Sequence, residues 1–230
     1  MRGLVVAGTD TGVGKTVVAA SVCAALIARG ERVAAFKPVV TGLDEQPGKW
    51  PPDHELLASV TGQAPSEVSP YRFGPAFSPH LAAELAGGEL DPGELVSAAR
   101  AAADRADVLV VEGVGGLLVP LTPDYSVRDL CAELDLPLIL AARPGLGTIN
   151  HTLLTVEAAR AAGLEVAAVV LTPWPDRPSR LEQSNRTTVK RATGLPVHGL
   201  ASTTSQELAG AGAGLPLSEW LGPTRQTPPS

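Results

Sequence analysis

Six short apolar runs recur along this chain with helical patterns between them, and that alternation restricts the fold more than any single motif does. The runs are LVVA (4–7), RVAAF (32–36), DVLVVEG (107–113), LPLILAA (136–142), EVAAVVL (165–171) and LPVHGL (195–200). Rich in Val and Leu, bounded by Gly or Pro and without polar–apolar alternation, they predict strands buried on both faces. Helices are expected over 16–29, 53–61, 78–85, 92–105, 127–134, 148–162 and 180–193. Such β–α alternation implies a mainly parallel, doubly wound α/β sheet with helices on both faces. With 230 residues, 44% of them hydrophobic, the chain can bury one substantial core. A single domain over 1–222 is expected, followed by a disordered tail at 223–230.

The same order dictates where the unusual residues meet. GTDTGVGKT (8–16) follows the first strand, KPVVTG (37–42) the second, EGVGG (112–116) the third, RPGLGTIN (143–150) the fourth and TPWPD (172–176) the fifth. In a parallel sheet those segments share one edge, and ligands of open α/β sheets bind at the carboxyl ends of the strands. Charge narrows the ligand class. A formal net charge of -6 with no Lys/Arg-rich run gives no footprint for nucleic acid or an anionic membrane. The N-terminal apolar run is too short for a signal peptide and no stretch approaches a membrane span, so a cytoplasmic location is expected. Cys23 and Cys131 lie in apolar patterns and read as small core hydrophobes. His54, His80, His151 and His198 show no metal-ligand spacing.

Cation usage singles out two residues. The chain has four lysines against fourteen arginines, so a lysine at a strand exit asks for a specific reason. Lys15 sits in Gly-Lys-Thr, after a strand and a glycine-rich loop and at the start of a helix, which is the phosphate-binding P-loop arrangement. Backbone N–H groups and the helix N-terminus face phosphate oxygens, the lysine reaches the terminal phosphates and the Thr16 hydroxyl ligates Mg²⁺. A compact ammonium fits that tight loop as a planar guanidinium cannot. Five residues separate Gly8 from Gly14, one more than the usual spacing. Gly12, Val13, Gly14, Lys15, Thr16 and Val17 form the expected nucleotide cradle. Lys37 leaves the sheet on the same edge; a surface lysine is the plain alternative, but a second cation beside a triphosphate suits a ligand with further negative charge. Glu112, ending VLVV, is placed to hold Mg²⁺, while Gly113, Gly115 and Gly116 let backbone approach a ligand; Gly113, Val114 and Gly115 are expected in the nucleotide site. Asp53 opens a helix and is either a third group at the metal or a simple cap. PGLGTINH offers backbone donors to a second anion, or is only a turn.

Taken in order, GTDTGVGKT, KPVVTG, SPHLAAEL, VVEGVGGLLVPL and GLGTINHTLLT resemble the motifs of the dethiobiotin synthetases, from the N-terminus to about Ala162. The resemblance implies a P-loop ligase that uses ATP, Mg²⁺, CO₂ or bicarbonate and 7,8-diaminononanoate in biotin synthesis. It implies Lys37 and Lys15 as catalytic lysines, Thr16, Asp53 and Glu112 around Mg²⁺, Thr11 and Thr41 at the diamine, and a homodimer in which Gly147, Thr148 and Asn150 hold the diamine's carboxylate. Departures are visible. Position 12 is Gly where some members have Glu, LTPWP with Pro173 stands where better-known members carry an adenine-reading Asn-Asp pair, and Asn185 takes the place of a substrate-binding tyrosine. Gly199–Thr203 is a weakly matched base-side segment, and relaxed base selectivity is the expected result. Two other P-loop classes compete. A cobyrinate-type amidoligase would carry a glutamine-hydrolysing domain, and a partitioning-type ATPase switch a further lysine where this chain has Asp10, Thr11 and Gly12.

Overall fold

The computed structural model describes residues 1–46 and 48–221; the expected tail at 223–230 lies outside the described residues. In chain order the elements are β1 (Gly3–Gly8), α1 (Lys15–Ala28), β2 (Val33–Phe36), β3 (Val39–Val40), α2 (Asp53–Thr61), α3 (Pro65–Val68), β4 (Tyr71–Arg72), α4 (Pro79–Leu85) and α5 (Pro92–Ala103). They continue with β5 (Val108–Gly116), β6 (Pro120–Thr122), β7 (Tyr125–Ser126), α6 (Val127–Leu134), β8 (Leu138–Ala142) and α7 (Thr148–Ala161). The chain then runs through β9 (Val166–Trp174), α8 (Arg180–Thr193), β10 (Val197–Ala201), α9 (Leu208–Ala213) and α10 (Leu217–Leu221).

All six apolar runs enter one sheet in the order β10-β9-β8-β1-β5-β2, and every neighbouring pair in it is parallel. Their lack of alternation has a direct cause. Successive side chains of β1 enter opposite cores: Leu4 and Val6 pack with the α1 side, with Val18, Val22 and Leu26, whereas Val5 and Ala7 pack on the other face with Leu109, Val111 and Leu130. Both faces are covered, so both must be apolar. Burying one such side chain fully is worth about 1.5–3 kcal/mol.

Two strands run further than the sequence suggests. The run DVLVVEG predicts a strand ending at Gly113, but β5 continues to Gly116 because Gly8 of β1 still pairs with that residue. Likewise β9 takes in Thr172, Pro173 and Trp174 because Ala201 of β10 pairs with Trp174. Neighbouring strands extend the ladder where local composition argues for a turn. After β10 the chain adds α9 and α10, which close the α1 face. Gly212 makes that possible, since a Cβ there would stand 2.0 Å from the Ser21 carbonyl oxygen.

β1 lies mid-sheet, and the chain goes first to the β5/β2 side and then to the β8 side. This is a topological switch point, and the carboxyl end of β1 opens into the crevice it creates. Among the described residues no helix is long and apolar enough to cross a membrane.

Candidate active site

The loop after β1 delivers the first functional group. Gly14 caps α1 in the left-handed conformation with φ 90 and no side-chain cap, and no acidic residue stands in the first turn of that helix. A side chain at Gly14 would be strained there and would also meet the Thr172 methyl at 2.6 Å. The first-turn N–H groups of α1 are therefore free to face an anion. Lys15 folds back so that its Nζ donates to the Asp10 carbonyl at 3.0 Å. Burial, aided by repulsion from Lys37, lowers its pKa to about 8. An anion in the loop would restore the full charge.

A second cluster stands beside it. Lys37, carried just past β2, is 3% exposed, and Glu112 of β5 is 0% exposed. The Lys37 Nζ lies 2.7 Å from Glu112 Oε1 and 2.8 Å from Asp53 Oδ2, Asp53 being the first residue of α2. Burial alone would depress the Lys37 pKa, but Asp53 and Glu112 drive it above the ordinary lysine value. Partial burial works against the Asp53 carboxylate and Lys37 more than reverses it, so that pKa falls below the usual range. For Glu112 burial dominates and raises the pKa, Lys37 offsetting only part.

The oxygens are arranged for a cation. Thr16 Oγ1 lies 2.8 Å from Asp53 Oδ1 and 2.9 Å from Glu112 Oε1. One hydroxyl proton serves only one of these contacts, leaving the other as two facing oxygens. Glu112 Oε2 is buried without a hydrogen-bond partner, an oxygen left able to accept a ligand. Two carboxylates and a hydroxyl, all hard oxygen donors, fit Mg²⁺, which binds through one or two carboxylates and keeps waters and phosphate oxygens as its other ligands.

The structure brings most of the expected residues together. Thr11, Gly12, Gly14, Lys15, Thr16, Val17, Lys37, Thr41, Asp53, Glu112, Val114 and Gly115 all line one crevice of about 740 Å³. Gly113 contributes its carbonyl, 3.4 Å from Lys37 Nζ. Val13 is buried beneath the loop. Gly147, Thr148 and Asn150 do not reach this crevice. They form the start of α7, capped by Gly147 in the left-handed conformation without a side-chain cap; the Thr148 hydroxyl is buried and unpartnered.

This constellation has relatives. A family model described as an AAA domain matches residues 2–203. The ATP-dependent dethiobiotin synthetase BioD of Anaeromyxobacter dehalogenans is 49% identical over 173 residues, spanning 74% of this chain and 76% of that protein. The BioD of Bacillus licheniformis is 39% identical over 203 residues, spanning 87% of this chain and 85% of that protein. The chain belongs to the dethiobiotin synthetase family. The family match runs to residue 203, beyond Ala162, where the motif likeness ends. A structure of Cyanothece McdA in an ATP complex superposes with a TM-score of 0.52 at 13% identity, spanning 96% of this chain and 93% of that one, a likeness of fold.

Against that family background, three further side chains matter that motif reading passed over or left open. Arg143, directly after β8, donates to the Thr11 carbonyl at 3.1 Å and the Gly12 carbonyl at 3.4 Å, so a guanidinium pins the loop where some synthetases carry Glu at position 12. Asn185 of α8 gives its amide hydrogens to the carbonyls of Pro144 and Gly145 at 2.9 and 3.0 Å. It braces the turn before α7 from behind. Lys49 bonds the Thr203 carbonyl at 3.2 Å; its signal was the scarcity of lysine itself.

Proposed function

We infer that this chain is an ATP-dependent dethiobiotin synthetase, closing 7,8-diaminononanoate and CO₂ into a cyclic urea with release of ADP and phosphate. The observation that carries the reading is Lys37, a second buried lysine within ion-pair distance of Asp53 and Glu112 beside the P-loop. A partitioning-type switch would carry its further lysine in the P-loop, where this chain has Asp10, Thr11 and Gly12; here the second lysine stands past β2 instead. A carbamate brought up to a triphosphate adds an anion that needs a further cation.

The chemistry follows from that charge arrangement. One amine of the diamine adds to CO₂, forming an N–C bond and losing a proton to give the carbamate. A carbamate oxygen attacks the γ-phosphorus, the bond to the β-phosphate oxygen breaks, and ADP leaves with that electron pair. The second amine attacks the carbamoyl carbon and loses a proton, the C–O bond to phosphate breaks, and phosphate departs with that electron pair as the ring closes. Lys15 and the N–H groups of the α1 start would hold the transferring phosphoryl group and the departing oxygens. Lys37 would bridge the carbamate and the γ-phosphate, held in line by Asp53 and Glu112. Such transfer depends mostly on positioning and charge stabilisation. Thr16, Asp53 and Glu112 would hold Mg²⁺, which when bound neutralises charge on the β- and γ-phosphate oxygens.

The diamine's other end points to a homodimer. Leu118, Leu146 and Leu154 are 57%, 89% and 57% exposed. Leu118 and Leu154 line a cleft of about 410 Å³ with Thr11, and Leu146 precedes the α7 cap. A two-fold contact over this apolar surface would carry the Gly147–Asn150 turn of one copy toward the Thr11 side of the other. The carboxylate would then meet free N–H groups of α7 and the unpartnered Thr148 hydroxyl. A cytoplasmic location accords with a pathway fed by soluble metabolites. The reading is tested by giving the purified protein 7,8-diaminononanoate, bicarbonate, Mg²⁺ and ATP and looking by mass spectrometry for the cyclic urea. Hydrolysis of ATP without that product would overturn it.

A further inference from the structure

Beside the phosphate crevice lies a second space of about 370 Å³, with Gly14 and Val17 of the P-loop helix on one side and Pro173 and Ala201 on another. Its size suits a small organic group, and its polar side chains include no amide. Lys49 and Trp50, from the segment before α2, form a further wall, and Arg143, Thr172, Ser202 and Thr203 add polar side chains to the lining. Trp50 lines the phosphate crevice as well, so this one residue borders both spaces.

That ring is held from two directions. It packs against the core on the α1 face, and the Lys49 ammonium lies 5.6 Å from its centroid. The same ammonium donates to the Thr203 carbonyl at 3.2 Å, tying two segments 154 residues apart. A half-buried indole beside a phosphate loop, lining a space of mixed apolar and polar walls, has one evident use. Aromatic faces bind heterocycles by stacking, and every nucleobase has a π-face, so such binding tolerates any base.

We propose that Trp50 is the nucleoside-binding wall of this synthetase and that Lys49 is the positioning residue that latches it to Thr203. The proposal rests on the reading of the chain as a nucleotide-using ligase and adds which residues hold the nucleoside. It also accounts for affinity at a base end whose amide is gone: a stacking wall supplies contact without discriminating between bases.

Calorimetric titration of the full chain with ATP, CTP and inorganic tripolyphosphate tests this, with W50A, W50F and K49M beside the wild type. W50A should weaken ATP and CTP alike by about tenfold and tripolyphosphate by less than twofold, and W50F should recover most of the loss. K49M should weaken both nucleotides about threefold, again sparing tripolyphosphate. Wild-type affinity of W50A for ATP, or an equal loss for tripolyphosphate, would overturn the proposal. Should W50A fail to fold by circular dichroism, K49M decides, and unchanged ATP binding there overturns it. Failure of the wild type itself to bind ATP is a different result and would remove the nucleotide reading instead.

Discussion

At the phosphate end of the crevice the important groups are charged or hydroxyl side chains: Lys15, Thr16 and Asp53 on first helical turns, Lys37 just past β2 and Glu112 within β5. Thr16, Lys37, Asp53 and Glu112 are knit together by contacts of 2.7–2.9 Å. The base end, in contrast, is walled by Pro173, Ala201 and Ser202 on one side and by Lys49 and Trp50 on the other. The difference teaches where this protein spends specificity. A network of buried charges tolerates no substitution, because each lost partner leaves another charge unpaired. A wall whose polar side chains are hydroxyls and flexible cations, with no amide fixed to read a base, imposes a weaker penalty on a wrong ligand.

The largest effect should come from the phosphate end. Lys37→Gln is expected to lower turnover by about 10² or more while nucleotide affinity stays within a few-fold, whereas Lys15→Gln should damage both. Steady-state kinetics with a nucleotide titration separates the two, and near-normal product formation by the Lys37 variant would take it out of the site.

Next in size is the assembly that would complete this end. Leu154→Glu, on exposed α7 surface, should give a monomer by sedimentation and lower kcat/KM for the diamine by about 30- to 100-fold, the worth of one or two hydrogen bonds to a charged carboxylate. ATP affinity should hold. A fully active monomer would show that one chain builds the whole diamine site.

The base end should discriminate more weakly. CTP, GTP and UTP should support ring closure with specificity constants within roughly one to two orders of magnitude of ATP, a gap of about 1–3 kcal/mol. Parallel assays at limiting nucleotide measure this, and a preference for ATP beyond about 10⁴-fold would mean that a polar group reads the base after all.

The smallest expected effect is none. Neither end contains a thiol, and both cysteines are buried. Burial, with Asp129 nearby, pushes the Cys131 pKa up to about 12, and burial raises that of Cys23 as well. A raised pKa leaves almost no thiolate at pH 8. Incubation of the native protein with iodoacetamide at that pH should leave activity unchanged, both thiols reacting only after denaturation. Rapid inactivation would bring a cysteine into the chemistry and undo the picture of catalysis by fixed charges.

Much of this was readable in the amino-acid order. Runs such as LVVA and VLVV announce strands because a strand covered on both faces has no polar side to show. GTDTGVGKT announces a phosphate cradle because Gly14, Lys15 and Thr16 act over three consecutive residues. The scarcity of lysine marked Lys15 and Lys37, and their strand-end positions placed them on one sheet edge. The partnership of Thr16, Asp53 and Glu112 came from the family resemblance, since position alone left Asp53 either at the metal or as a simple cap.

Other features were decided only in three dimensions. The extension of β5 to Gly116 depends on Gly8 across the ladder, and α9 and α10 depend on a close approach at Gly212 to a helix far earlier in the chain. The bonds of Arg143 to the P-loop, of Asn185 to the Pro144 and Gly145 carbonyls and of Lys49 to Thr203 join residues 131, 40 and 154 positions apart. Each of these runs from a side chain to a backbone carbonyl in an irregular segment. Carbonyls carry no side-chain identity and loops no period, so no spacing in the sequence encodes such contacts. They exist because the packed sheet brings those segments within reach and a polar group near the surface must find a partner there.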